Sequence, residues 1–566
     1  MTDPARSRLF VLLAPIVGAL LLAGPASVLG HGLSNTYQSR LPLIVYLAGA
    51  ALAVGLSFAF LLVADVRAVP PKTGAGHRPP ALIRLGLQAI GLLALLWIVA
   101  QGIAGGNGSG EVATLFLWVY GWVGLAMLSA FVCPVWHWLD PFTTIHDLGA
   151  ALLRRVGVQG WAIAHTPRVL GRWPAVIGLA FFVWLELVGN TSGPRALFIV
   201  LIGYTAFTLA MMAQFGRDAW RSDGETFSVW FGLLGRLAPY ALVGDPAAGR
   251  VERRSFASGL LLPGWRVEDV VLIGIGTGSI LFDGLSQTQP WFSVLGAPDV
   301  PIKTLQLVGF VGLIVAASLI VSRLVGIPAT AAGLLPIAAG YLVAHYFTYL
   351  LIDGQRIIVA IADPLQQGWD LGNVGWAFFE PSSAWLPPGL VWTIQLAAVV
   401  GGHMLGAWGG HVVLARETGA ARGERGHRTR EVPLAVIMVA LTTLTLWSLG
   451  QALVVEAPME MAWLRRLHRP SPEPEPGRCS WDERIERDPT QAGQDLHGCL
   501  VGRAFRVDWG TNGPGLPAPD SLLCSIRSSG EYPQQDPVIR PLRAAWAGSA
   551  YRRTGWCAGR RAPRRA

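Results

Sequence analysis

Charge is scarce in this chain of 566 residues: Asp, Glu, Lys and Arg together make up 14% of it, against about 25% in soluble globular domains. Together with 52% hydrophobic residues, that scarcity excludes an ordinary soluble domain. Lysine is scarcer still, present only at Lys72 and Lys303, so arginine carries nearly all the positive charge. The apolar part holds a single cysteine, Cys133, which excludes a disulfide framework or a Cys-x-x-Cys metal site there. Also missing are a Gly-x-Ser-x-Gly nucleophile elbow, a His-Glu-x-x-His zinc motif and a Walker phosphate loop. The Gly-Ile-Gly-Thr-Gly-Ser run at Gly274, Gly276 and Gly278 sits inside an apolar segment without a βαβ context, so it is not a nucleotide loop.

What is present is a series of long apolar runs. They fall near 9–29, 42–66, 82–104, 112–133, 174–189, 196–214, 269–287, 303–322, 328–352, 389–415 and 432–457. Runs of this length span a bilayer as helices. The expected fold is therefore an all-α, polytopic integral membrane helix bundle with 10–11 transmembrane helices, and lipid is its first partner. Residues 1–30 are either a cleaved signal peptide or the first span. Residues 31–460 form the membrane domain.

Arginines alternate between loops. The loops holding Arg67, Arg78, Arg154, Arg155, Arg217, Arg221, Arg236, Arg253, Arg254, Arg323 and Arg416 are cationic, whereas loops such as 105–111 are not. This positive-inside pattern places the cationic loops in the cytoplasm of a bacterial cell, with a cytoplasmic N-terminus if the leader is kept. The net charge of +9 thus reflects orientation and gives no reason to expect nucleic acid as a partner. Asp140 followed by Pro141 predicts the start of a short helix on the cytoplasmic surface, with Arg154 and Arg155 at its far end. A segment rich in aromatics, Gly and Pro, about 354–388, is expected outside, either capping a cavity or covering helix ends. From about residue 461 the hydrophobic pattern disappears, and the tail reads as a disordered basic extension or as out-of-frame translation.

Ionisable groups within a bilayer cost about 2.5–3.5 kcal/mol at its centre and usually face a protein interior or water. Glu186, Asp283, His345 and His403 lie in apolar segments. Orientation puts Glu186, Asp283 and His345 near the outer end of their helices, level with His31, and leaves His403 deeper. Tyr341, His345, Tyr349 and Asp353 recur every four residues and so form one polar stripe. Imidazoles and carboxylates at one depth suit a divalent metal, relay protons, or bond helices together. The expected catalytic residues are Glu186, Asp283 and His345; the expected metal ligands are His31, His345, His403 and Asp283, for zinc or copper. If the leader is cleaved before His31, its free amine and imidazole together chelate copper. Gly402, Gly406 and Gly410, four apart, predict close approach of a neighbouring helix.

Several segments occur in an order that resembles a known family: HGLSNTYQSRLPLIVYLAGAALAVGLSF (31–58), FVWLELV (182–188), FDGLSQT (282–288), AHYFTYLLIDGQ (344–355), ADPLQQGWDLGN (362–373) and GGHMLGAWGGHVVLAR (401–416). The resemblance is to the large actinobacterial membrane-protein family called fenitrothion hydrolase, over about residues 31–457. It implies a hydrolase acting on an organophosphate triester at its aryl ester bond, and no catalytic residue is carried over from it. The family's Ala-His-Asp stands here as Gly410-His411-Val412, so an acidic neighbour of His411 is missing from the sequence.

Three functions stay open from the residues. One is an outward-facing, metal-assisted hydrolase of organophosphate-like or other lipophilic esters. Another is a metal-ion or proton-coupled transporter, with a metal ion as the passenger. The third is a scaffold whose polar residues only specify helix packing.

Overall fold

The computed structural model describes residues 76–104, 111–157, 170–189, 194–243, 249–296, 299–372, 375–418 and 431–450, parts of 44–57, and strands 505–510 and 523–528. Residues 1–455 and 456–566 form two separate units. The first is a helical bundle. Among the described residues, eight helices are long and apolar enough to cross a membrane, and Leu47–Ser57 and Trp173–Leu187 are shorter apolar helices. The expected span at 9–29 lies outside the described residues, as do all of 1–30 and His31. In the second unit, Phe505–Gly510 pairs antiparallel with Leu523–Ser528, a hairpin within the expected unstructured tail.

The helices that matter below are α1 (Ala81–Ala104), α2 (Val112–Phe131), α3 (Pro141–Arg155), α4 (Trp173–Leu187), α5 (Pro194–Phe215), α6 (Arg217–Asp223), α7 (Thr226–Leu234), α8 (Val267–Ser286), α9 (Val300–Val325), α10 (Ile327–Ile352), α11 (Pro388–Thr418) and α12 (Val432–Leu449). Helix α8 is buried along nearly its whole length, whereas α1 and α9 expose many leucines and isoleucines. Exposed aliphatic faces of this kind suit lipid as the surrounding solvent.

At the centre, α10 and α11 pack with almost no side chain between them. A Cβ on Gly402 would stand 2.7 Å from the Pro336 carbonyl, and one on Gly406 would collide with the Gly333 carbonyl. Helix α10 thus approaches α11 along the row predicted from Gly402, Gly406 and Gly410. Pro336 inside α10 has no N–H, so the Ala332 carbonyl loses its helical donor. The Gly274–Gly278 run is likewise packing: Gly276 lies against the Trp230 ring, and Gly274 and Gly278 face Val315 and Val311 of α9.

The arginine-bearing segments gather at one end of the bundle. Asp140 caps α3 as its sequence predicts, accepting from the Phe142 and Thr143 amides, with Pro141 at the first position. Arg172 pairs with Asp269, and Arg266 with Asp223. The strand expectation was none, yet Tyr240–Val243 and Arg250–Arg253 form an antiparallel hairpin here, and His77 bridges to Val251. Residues 76–80 and the 250–253 strand, from loops expected on the same membrane face, are therefore in contact through His77 and Val251. At the opposite end, part of the aromatic segment covers helix ends: Trp97 donates to the Pro364 carbonyl, and Gln355 donates to the Ser382 carbonyl.

Candidate functional site: a carboxylate–imidazole pair within the helices

Asp283 sits one turn before the end of α8, with apolar residues before it, so its carboxylate must find donors inside the protein. It finds three. Oδ1 accepts from the Gln287 amide at 2.7 Å, and Oδ2 accepts from the Tyr346 hydroxyl at 2.9 Å. Oδ2 also lies 2.9 Å from Nε2 of His345. Helix α10 supplies both His345 and Tyr346, adjacent in sequence, and their rings meet edge to face with centroids 4.5 Å apart.

The next residue on α8 is glycine for a reason. A Cβ on Gly284 would stand 3.3–3.4 Å from Cε1 and Nδ1 of His345, so any side chain would press on the imidazole. With Oδ2 as the acceptor, Nε2 is the nitrogen of His345 that carries the proton. Nδ1 then carries the lone pair, and it makes no hydrogen bond among the described residues. The side chains of His345 and Asp283 are 21% and 16% exposed. The pair is thus not fully enclosed by the bundle.

Glu186 of α4 lies within electrostatic range of this pair, and its Oε2 is buried without a hydrogen-bond partner. The structure thus gathers the three expected catalytic residues, Glu186, Asp283 and His345, and adds Tyr346 and Gln287. Neither addition was predicted. Tyr346 is the off-stripe neighbour of His345, and Gln287 follows Asp283 by one helical turn, a spacing that could have drawn attention to it.

The expected metal ligands do not assemble in the same way. His403 is fully buried, with Nδ1 2.9 Å from the Val399 carbonyl and Nε2 2.7 Å from the Met438 carbonyl. Both nitrogens face oxygen, so neither lone pair points to a vacant position, and the residue joins α11 to α12. His31 lies outside the described residues. Among the described residues no three His, Cys, Asp or Glu side chains are grouped to hold a metal ion. Asp283 and His345 alone are too few for the four-coordinate zinc geometry. His411 does have an acidic partner: Nδ1 lies 2.7 Å from Glu431 Oε1, a carboxylate brought from the start of α12, not from the next residue.

Of the polar stripe, Tyr341 is buried beside His403, with ring centroids 5.7 Å apart, and Asp353 pairs with Arg356. Only His345 turns to another helix's carboxylate. No family model matches the chain, and neither a curated protein nor a solved structure matches it.

Proposed function

We propose that this protein is a membrane-embedded hydrolase of lipophilic esters in which His345 is the general base and Asp283 its positioning partner. The observation that supports this reading is the Nε2 contact with Asp283 at 2.9 Å, which leaves Nδ1 of a partly exposed imidazole unbonded. A carboxylate that fixes the tautomer and stabilises the imidazolium is how histidine bases are prepared in other folds. Nδ1 takes a proton from water as the water oxygen bonds to the ester phosphorus or carbonyl carbon. The bond to the aryl oxygen breaks, and the imidazolium returns the proton to the departing aryloxide. Proton transfer of this kind contributes about 10²- to 10⁴-fold. The ester class comes from the resemblance to fenitrothion hydrolases, and apolar helix faces around the pair suit a substrate arriving through lipid. Zinc or copper would find Asp283 and His345 as donors; no step is assigned to a metal, because a third and fourth donor are lacking among the described residues.

A second reading rests on one further observation. The buried, unpartnered oxygen of Glu186 near Asp283 supplies a second carboxyl able to exchange a proton, which a proton-coupled metal transporter in the bacterial plasma membrane requires. Reconstituted full-length protein separates the two. Release of nitrophenolate from a lipophilic nitrophenyl phosphotriester, retained after chelator treatment and lost in His345→Ala, supports the hydrolase. Zinc or copper uptake driven by a pH gradient, without ester cleavage, replaces it with the transporter.

A further inference from the structure

A second polar site lies at the arginine-rich end, separate from the Asp283–His345 pair. A cavity of about 480 Å³ there is lined by Arg172, Arg221, Arg236, His137, Ser222 and Ser228, with Asp218 as its carboxylate. Its size is that of a pocket for a small organic ligand.

The cavity collects donors that lack a hydrogen-bond acceptor among the described residues. Ser228 Oγ is buried and makes no hydrogen bond, and Arg172 Nε and Arg221 Nε make none either, although each stands 3.5 Å from a carboxylate oxygen, of Asp223 and Asp140 respectively; all three residues line this one cavity. Buried donors without acceptors are uncommon in native proteins, and their clustering calls for an acceptor that occupies the space. Neighbouring carboxylates are largely committed elsewhere. Asp140 caps α3 and stands 3.5 Å from Arg221 Nε, beyond its hydrogen bonds to the Phe142 and Thr143 amides. Glu225 caps α7 and also accepts from Trp136 and Tyr204. Asp269 accepts from Arg172 at 2.5 Å and from the Arg266 amide, while Asp223 binds Arg266 and Asp218 binds Arg217.

Among the described residues, Arg236 has no carboxylate at ion-pair distance. Its guanidinium donates to the Leu262 and Pro263 carbonyls and stacks 3.8 Å over the Trp265 ring. We propose that this cavity binds a phosphate-bearing anion, whose oxygens accept from Arg172, Arg221 and Ser228. Guanidinium groups match phosphate oxygens in geometry and charge. Burial lowers Arg236 to about 10, and burial with the charges of Arg221 and Arg217 drives His137 down to about 3. Burial is the larger cause of both shifts, and the arginine charges add to it at His137.

The test uses full-length protein purified without phosphate. One arm titrates inorganic phosphate in detergent; the other compares lipid nanodiscs containing phosphatidylglycerol with nanodiscs of phosphatidylcholine, both read by thermal unfolding. A rise in Tm with phosphate supports the site and assigns a free anion; a rise with phosphatidylglycerol alone supports it and assigns a lipid headgroup. Ser228→Ala should bind the effective anion about tenfold more weakly, while leaving the anion-free Tm unlowered because the lost hydroxyl had no partner. Arg221→Gln should abolish the response. No response of the wild type in either arm, or an unchanged response in Ser228→Ala, overturns the proposal, and the second holds even if Arg221→Gln fails to fold.

Discussion

Two histidines in neighbouring helices, His345 and His403, have the same side chain and opposite surroundings. His403 is enclosed, and both its nitrogens are directed at backbone carbonyls of α11 and α12. His345 is partly exposed, with one nitrogen held by a carboxylate and the other unbonded. The first arrangement spends the imidazole's bonding capacity on joining helices. The second orients the imidazole and leaves it able to accept a proton. An intramembrane histidine is therefore not a functional group by virtue of depth alone; what its second nitrogen meets decides.

The largest expected effect breaks the comparison from the reactive side. His345→Ala should lower ester hydrolysis by about 10²–10⁴-fold, and Asp283→Asn should act in the same direction, with both variants still folded. Activity and thermal unfolding measured on the same preparations check this. From the other side, His403→Ala should cost about 3 kcal/mol of stability through the lost hydrogen bond and the cavity left behind. The surviving folded fraction should keep its specific activity. A catalytic defect in correctly folded His403→Ala would erase the distinction between the two residues.

Gly406→Ala sharpens the same contrast at the helix contact that carries His403. The added methyl meets the Gly333 carbonyl, a backbone atom that cannot rotate away. Overpacking of this kind costs about 1–3 kcal/mol, readable as a lower Tm without a change in the pH profile of hydrolysis.

A smaller effect separates the arginine-rich end from both. His137 is pushed down to about 3, by burial first and then by Arg221 and Arg217. Its folded value lies below its unfolded one, so the unfolded chain takes the proton more readily. Stability contributed by neutral His137 is present above about pH 6.5 and is lost as pH falls toward 3, by at most about 1.4 kcal/mol per unit. Unfolding between pH 7 and pH 5 should be steeper in the wild type than in His137→Gln.

Much of this was legible in the chain. Uncharged runs of bilayer length identify spans because backbone groups in lipid must bond within their own helix. Asp140-Pro141 announced a helix start, and Gly402, Gly406 and Gly410 announced a close contact; local rules suffice for both. Arginine placement also gives Glu186, Asp283 and His345 one expected depth. Depth, however, says nothing about which helix stands beside which. Asp283 and His345 are 62 residues apart, and only packing brings them to one point while directing His403 toward α12. The Glu431 carboxylate at His411 escaped for the same reason. The hairpin at 240–253 escaped because four-residue strands leave too short a period to read.

The most direct measurement is hydrolysis of the lipophilic phosphotriester by His345→Ala in nanodiscs, with and without added imidazole. The account predicts near-complete loss of turnover, partly restored by imidazole occupying the vacated space beside Asp283. Turnover at the wild-type rate in His345→Ala, with or without imidazole, would contradict it.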